Sequence, residues 1–191
     1  QTGARIMKLM VSIVTGDVAG DRGIARTLQE TWATAQPQAK HLINAALILC
    51  ADHELNASSF TARIVASAGA TPYAVVIAGL SALQGVKHGG STARVEAFLR
   101  EVESPQNARR AIAERLQRGE SINGFGHRLY ADRDPRADTL LALMRETYPD
   151  HPAIALGDAV ESGMAELIGL APNVDFAITI LARLLGLRTD G

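Results

Sequence analysis

Three histidines and one aspartate in this chain occupy positions where side chains could do chemistry. His88 precedes two glycines, His127 follows Gly126, His53 follows an apolar segment, and Asp175 comes just after a Pro-Asn break. Glycine beside a histidine lets a ligand approach the backbone closely. A neutral histidine can donate a hydrogen bond to a carbonyl oxygen while a carboxylate removes the neighbouring C–H proton. These residue types therefore indicate general acid–base chemistry.

An arginine extends this set toward a substrate class. Arg136 can pair with a substrate carboxylate through two parallel hydrogen bonds. The whole set suits the formation of a carbon–carbon bond between an enolisable thioester and a keto acid. An isomerase or a lyase could use the same groups, so the residue types alone leave the reaction open.

Several other functions lack their sequence signals. No histidine pair has helical ligand spacing and Cys50 is the only cysteine, which leaves only histidines from distant segments for a metal site. A Gly-x-Ser-x-Gly elbow and a phosphate-binding P-loop are both missing. The net charge of −1, from 19 basic and 20 acidic residues, argues against a nucleic-acid partner. We predict no metal and no nucleic acid.

The same composition bears on location. No apolar run in the sequence reaches the length of a membrane span, and the first residues lack the layout of a signal peptide. A single cysteine cannot form a disulfide within the chain, which fits a reducing compartment. We therefore predict a cytoplasmic protein without a membrane partner.

Apolar side chains recur with helical spacing along most of the chain, so the predicted fold class is all-α. Ser121, Asn123 and Gly124 disfavour helix and predict a loop over 121–134. The first 20 residues give no clear element. Helices are predicted over 39–51, 58–68, 72–83, 92–102, 104–118, from 134 onward, 151–170 and 174–185. The second and third are rich in Ala and Gly, which suits close helix packing or a subunit interface.

Five stretches of this sequence resemble the citrate synthase family. They occur in the family's order and at similar spacing. The stretches are ADHELNAS from residue 51, HGG from 88, GFGHRLY from 124, DPRA from 134 and NVDF from 173. The first and third are long enough to be specific, whereas a lone His-Gly-Gly would mean little.

The resemblance implies a role for each catalytic residue. His88 would hydrogen-bond the thioester oxygen of an acyl-CoA, and Asp175 would take the proton from its methyl group. His127 would polarise the keto group of oxaloacetate and protonate the new alkoxide. His53 and Arg136 would hold oxaloacetate.

Further contacts follow from the same resemblance. Asn56 would help to orient the site. The coenzyme A moiety would face a loop that contains Ile122, Gly124, Phe125 and Gly126. Coenzyme A enters as a thioester co-substrate, and no tightly bound cofactor or metal is implied.

The resemblance also implies an organisation. Residues 1–88 would belong to a large helical domain, 89–172 to a small one, and 173–191 would return to the large one. Two subunits would associate as a homodimer. Relative to the family the chain is short at both ends, so the family's further carboxylate-binding arginines have no match here.

We expect a citrate synthase that condenses acetyl-CoA with oxaloacetate. The alternatives are a 2-methylcitrate synthase, a citryl-CoA lyase-like enzyme, or a non-catalytic binding or assembly module.

Two local departures from the family pattern concern substrate contacts. Ser91 and Thr92 follow the His-Gly-Gly stretch where the family usually has Ala-Asn. Ala131 stands where the family commonly has a lysine, so a basic contact to coenzyme A would be lost. Arg133 lies two residues further along and could supply it.

Overall fold

The computed structural model describes residues 2–17, 22–51 and 55–187. Over these residues the regular structure is helical, with ten α-helices and one short 3-10 helix. Extended pairing within them is limited to a single bridge between Phe125 and Pro172. The chain divides into two compact units, residues 1–90 and 91–191. The predicted all-α fold class is confirmed.

Unit 1 contains five helices. Helix α4 packs along α5, and α2 packs against both α1 and α3. Thr71 begins α5, because its hydroxyl accepts the Ala74 N–H and Pro72 occupies the first turn. Its helices are α1 (Thr2–Thr15), α2 (Ile24–Trp32), α3 (Ala39–Leu49), α4 (Ala57–Ser67) and α5 (Pro72–Leu83).

Unit 2 contains the other five α-helices around one core. Helix α10 packs against α6, α8 and α9, and α7 packs against α9. The helices are α6 (Ser91–Val102), α7 (Ala108–Gln117), α8 (Pro135–Thr147), α9 (Pro152–Leu167) and α10 (Val174–Leu184), with a 3-10 helix at Pro105–Asn107. The largest fully buried side chains of this core include Phe98, Phe176, Leu140, Met144, Met164 and Ile180. Burial of these side chains stabilises the packing of α8 and α9 against α10.

Three helices of unit 2 begin at a residue whose side chain accepts a backbone N–H. Asp134 begins α8, His151 begins α9 and Asn173 begins α10. Such a cap satisfies an N–H that the first turn leaves without a partner. The predicted start at Asp134-Pro135 is confirmed.

The expectation that the first 20 residues have no element is wrong. Helix α1 covers Thr2–Thr15, of which only Ile6 and Val11 are buried. Five other large apolar side chains of α1 are exposed, although Ile6, Leu9, Met10 and Ile13 recur with the spacing of one helix face. The exposed residues are Met7, Leu9, Met10, Ile13 and Val14.

The predicted helix over 104–118 also differs in detail. It begins as the 3-10 helix after Ser104 and becomes α-helical at Ala108. The other predicted helices agree with the observed bounds to within three residues at each end. Within the described ranges, no helix combines the length and the apolar character that crossing a bilayer demands.

The division between the two units falls after Gly90, two residues beyond the first predicted domain boundary. Within unit 2, α10 packs on its neighbouring helices. The assignment of 173–191 to a large domain stays a prediction.

Candidate active site

The loop that carries His127 is shaped by two glycines. Gly124 and Gly126 have φ angles of +91° and +70°, a region that residues with a Cβ rarely adopt. A Cβ on Gly124 would come within 2.8 Å of Val95 and 3.1 Å of Phe176. The loop therefore needs glycine at this position both for its backbone and for its close approach to the core.

Two hydrogen-bond donors face the imidazole of His127. The Leu129 N–H donates to Nδ1 at 3.2 Å, and Nη2 of Arg136 lies 3.4 Å from Nε2. A neutral ring that accepts at Nδ1 carries its proton on Nε2. In that state Nε2 and Nη2 of Arg136 are both donors, so the 3.4 Å contact is not a hydrogen bond. His127 is half-buried, so an acceptor atom of a ligand can receive both N–H groups.

Arg136 is held side-on by a buried carboxylate. Its Nε and Nη2 donate to the two oxygens of Asp134 at 2.9 and 2.8 Å. The guanidinium lies 5.2 Å from the ring centre of Tyr130, which also stacks obliquely on His127 at 5.0 Å. Arg136 is 7% exposed, and its position is fixed by these contacts on several sides.

Asp175 lies in the first turn of α10. Its backbone N–H donates to Oδ1 of Asn173, and its carbonyl accepts the Thr179 hydroxyl. The Asp175 side chain is half-buried. Within the described residues its carboxylate makes no hydrogen bond or ion pair. It is therefore free of a competing partner that would hold it away from a proton donor.

Three hydrogen bonds join the His127 loop to the start of α10. The Gly126 N–H donates to the Ala171 carbonyl at 2.8 Å, and the Asn173 N–H donates to the Gly124 carbonyl at 2.9 Å. The Asn173 side-chain amide donates to the Gly126 carbonyl at 3.0 Å. Unit 2 thus brings together three sequence-predicted residues, His127, Arg136 and Asp175, on two stretches that are bonded to each other.

The predicted coenzyme A loop has both buried and accessible members. Phe125 is 9% exposed and packs its ring 4.8 Å from that of Phe176. Gly124 is buried as well, whereas Ile122 and Gly126 are half-buried. Contact between this loop and coenzyme A stays a prediction, and Ile122 and Gly126 are its accessible members.

In unit 1, His88 is held by a serine that sequence reasoning did not assign. Nε2 of His88 lies 2.8 Å from the Ser58 hydroxyl, and that hydroxyl lies 2.8 Å from Oδ1 of Asn56. Asn56 also begins α4, because its Oδ1 accepts the Ser59 N–H. Unit 1 thus brings together two sequence-predicted residues, His88 and Asn56, through Ser58.

The remaining predicted residues lie outside the set in unit 2. His53 lies outside the described residues, so its predicted contact with oxaloacetate stays a prediction. His88 belongs to unit 1, and His127, Arg136 and Asp175 belong to unit 2. The sequence analysis predicted Asp134 only as the start of a helix and did not predict its contacts with Arg136 and Val174.

Arg133, the suggested replacement for a basic contact at Ala131, is engaged within unit 2. It donates to Asp138 and, at 2.9 Å, to Glu161. The hydrogen bonds that Arg133 donates to these two carboxylates raise its pKa above its ordinary value. Its charge is thus neutralised locally, and binding a phosphate would require these ion pairs to open.

The arrangement in unit 2 is suited to acid–base chemistry on an anionic carbonyl compound. It combines an imidazole N–H donor, a fixed guanidinium and an unpartnered carboxylate. In the described part of the chain, no three His, Cys, Asp or Glu side chains are placed to hold a metal ion together.

Comparison with known proteins gives a consistent picture. Residues 4–191 match the family model for the citrate synthase C-terminal domain. Citrate synthase 2 of Bacillus subtilis is 36% identical over 179 residues, which are 89% of this chain and 47% of that protein. The chain therefore spans about half the length of this curated relative.

Two solved structures share the fold. The first is the citrate synthase of Thermoplasma acidophilum, in a ternary complex with carboxymethyl coenzyme A and oxaloacetate. It aligns with a TM-score of 0.76 and 25% identity, over 88% of this chain and 47% of that one. The second, the citryl-CoA lyase of Hydrogenobacter thermophilus, aligns with a TM-score of 0.77 and 28% identity, over 90% of this chain and 69% of that one.

Proposed function

Because this chain belongs to the citrate synthase family, we propose that it carries the catalytic residues of an enzyme that condenses acetyl-CoA with oxaloacetate. The observation that supports this most is the arrangement in unit 2. There, a side-on-held Arg136 lies beside the N–H of His127, and hydrogen bonds tie their loop to the helix that carries Asp175. The guanidinium suits a carboxylate of a dicarboxylic keto acid, and the imidazole N–H suits its keto oxygen.

The first step in this proposal is enolisation. Asp175 removes a proton from the methyl carbon of acetyl-CoA, and His88 donates a hydrogen bond to the thioester oxygen where negative charge develops. A neutral His88 that donates through Nδ1 must accept at Nε2. The Ser58 hydroxyl, 2.8 Å away, can donate there when its single proton is turned from Oδ1 of Asn56 to the imidazole.

The second step forms the carbon–carbon bond. The enolate carbon attacks the keto carbon of oxaloacetate, whose carboxylate is paired with Arg136. His127 donates from Nε2 to the keto oxygen and then transfers that proton to the new alkoxide. Water then hydrolyses the citryl thioester and returns a proton to His127, while the proton held by Asp175 leaves on the thiol, so citrate and free coenzyme A are released.

The experiment that tests the function follows free thiol. We expect the purified protein to release thiol from acetyl-CoA only when oxaloacetate is present, and the same assay with propionyl-CoA tests a 2-methylcitrate synthase. Absence of thiol release with both thioesters, together with no heat of oxaloacetate binding, would refute the catalytic proposal. That result would favour the non-catalytic binding or assembly module.

A second candidate is the reverse aldol reaction on citryl-CoA. It is favoured by the similarity to the citryl-CoA lyase, of which the chain covers 69%. This activity would be assigned if the protein cleaved citryl-CoA to acetyl-CoA and oxaloacetate but released no thiol from acetyl-CoA and oxaloacetate. His127 and Asp175 would then act as base and acid in the opposite direction.

Two helices of unit 1 support a proposed homodimer. Helices α4 and α5 contain no buried residue, although they pack on each other. Their large apolar side chains are about half-exposed, which is unusual for a monomer surface. We propose that a second copy of the protein covers them. These side chains are Phe60, Ile64, Tyr73, Ile77, Leu80 and Leu83.

Substitution of Ser58 tests the part assigned to His88. In Ser58→Ala the imidazole loses the hydroxyl that fixes its Nε2, so we expect kcat to fall about 10-fold with little change in KM. Ser67→Ala is the control, since it removes a hydroxyl from the exposed end of the same helix. Equal kcat values for the two variants would show that Ser58 does not orient His88.

A further inference from the structure

Asp134 accepts hydrogen bonds from two parts of the candidate site at once. Its Oδ1 accepts from the backbone N–H and the Nε of Arg136, at 3.0 and 2.9 Å. Its Oδ2 accepts from Nη2 of Arg136 at 2.8 Å and from the Val174 N–H at 3.0 Å. Asp134 is 2% exposed, so its four bonds replace water almost completely.

We propose that Asp134 is a positioning residue of the condensation, acting on both Arg136 and Asp175. This role rests on the function proposed above. The carboxylate sets the orientation of the guanidinium that receives oxaloacetate, and it also fixes the first residue of the helix that carries the base.

The effect on Arg136 follows from which N–H groups are used. Asp134 occupies the side-on edge, formed by Nε and one proton of Nη2. A second carboxylate can therefore pair with the guanidinium only through the end-on edge, formed by Nη1 and Nη2. That edge includes the Nη2 atom that lies 3.4 Å from Nε2 of His127. A substrate carboxylate bound there would be placed beside the imidazole N–H.

The effect on Asp175 runs through one residue. Val174 is the first residue of α10, and its N–H points to Oδ2 of Asp134. Asn173 caps the following N–H groups and binds the His127 loop. The start of α10 is thus held by Asp134 on one side and by the loop on the other.

Asp134 stays ionised in this environment. Burial acts to raise the pKa of its carboxyl, but hydrogen bonds from Arg136 and Val174 outweigh burial and hold the pKa below its ordinary value. It therefore acts as a permanent acceptor and is not suited to exchange protons with the substrate.

Glu96 supplies a matched control within the same unit. It is 7% exposed and accepts from Nε and Nη2 of Arg183 at 2.7 and 3.1 Å. It also pairs with Arg100. Its contacts join α6 to α10 without involving any sequence-predicted site residue. Glu96→Gln thus weakens a buried ion pair without touching the site.

The experiment compares Asp134→Asn with Glu96→Gln in the purified protein. The new amide would turn an N–H donor toward a donor of Arg136 or of Val174. The hydrogen bond at that position is then lost, while the side-chain volume is kept. We expect the KM for oxaloacetate to rise roughly 10- to 100-fold and kcat to fall about 10-fold in Asp134→Asn. In Glu96→Gln we expect both constants to change by no more than about twofold, with a comparable loss of thermal stability.

Calorimetry of oxaloacetate binding without acyl-CoA adds a measurement independent of turnover. A matching loss of affinity in Asp134→Asn supports the role. An active wild type with equal oxaloacetate KM and affinity in the two variants would overturn this role and leave the proposed function standing. A wild type that neither turns over nor binds oxaloacetate would refute the proposed function and this role together.

Discussion

We expect Asp175→Asn to lower kcat by about 100- to 10,000-fold while the affinity for oxaloacetate stays close to that of the wild type. The amide has nearly the size of the carboxylate but cannot take the methyl proton. The recorded hydrogen bonds of Asp175 are made by its backbone, to Asn173 and Thr179, so the start of α10 is preserved. The loss of a negative charge from a first helical turn costs only about 0.3–1 kcal/mol of stability.

The measurement is thiol release under saturating substrates, paired with calorimetric titration of oxaloacetate. Asp138→Asn is the matched control, because Asp138 is also half-buried and acidic in the first turn of a helix, α8. It pairs with Arg133 instead of facing the candidate site. If Asp175→Asn lost oxaloacetate affinity as severely as turnover, its carboxylate would be a binding group and the assigned base would be wrong.

The helices and their starts could be predicted because they depend on neighbours in sequence. Asp134-Pro135 and Asn173 carry their signals within three residues, as caps that meet N–H groups of their own first turn. Gly124 was predicted to break helix, and its φ of +91° agrees. Helices α1 and α2 were missed. In α1 the spacing of Ile6, Leu9, Met10 and Ile13 is the helical signal that could have found it.

The groups that support the candidate site could not be predicted, because their partners are distant in sequence. Ser58 meets His88 across 30 residues, and Oδ2 of Asp134 meets Val174 across 40. For Asp134 the local signal was already explained, since this residue suffices as a helix cap. A side chain with two acceptor oxygens can cap a helix with one and hold a distant group with the other.

For Arg133, proximity in sequence suggested a contact to coenzyme A, but its partners in the structure are other residues. It stands two residues from Ala131 and could replace a basic contact to coenzyme A on that ground alone. The helical fold brings Glu161 and Asp138 to the same guanidinium, and their carboxylates use its donors. Whether a charge is available to a ligand is thus set by which carboxylates the packed helices place around it.

The second large effect is expected at His127. We predict that His127→Gln lowers kcat about 100- to 1,000-fold, because the carbonyl of oxaloacetate loses its polarising donor and the alkoxide loses its acid. The imidazole is oriented by the Leu129 N–H at Nδ1, which places the proton on Nε2 next to Arg136. Glutamine can still donate a hydrogen bond, but it does not deliver a proton near neutral pH, so oxaloacetate binding should weaken far less than turnover.

His151→Gln provides a control with the same local geometry. His151 begins α9, and its Nδ1 accepts the Ala153 N–H at 3.2 Å, the same distance as between His127 and Leu129. Both rings are half-buried and both accept from the N–H two residues ahead. If the effect at His127 came from losing a backbone contact, the two variants would lose kcat alike. A large loss at His127 with unchanged kcat at His151 would assign the effect to the Nε2 proton, and a rise in oxaloacetate KM alone would restrict His127 to binding.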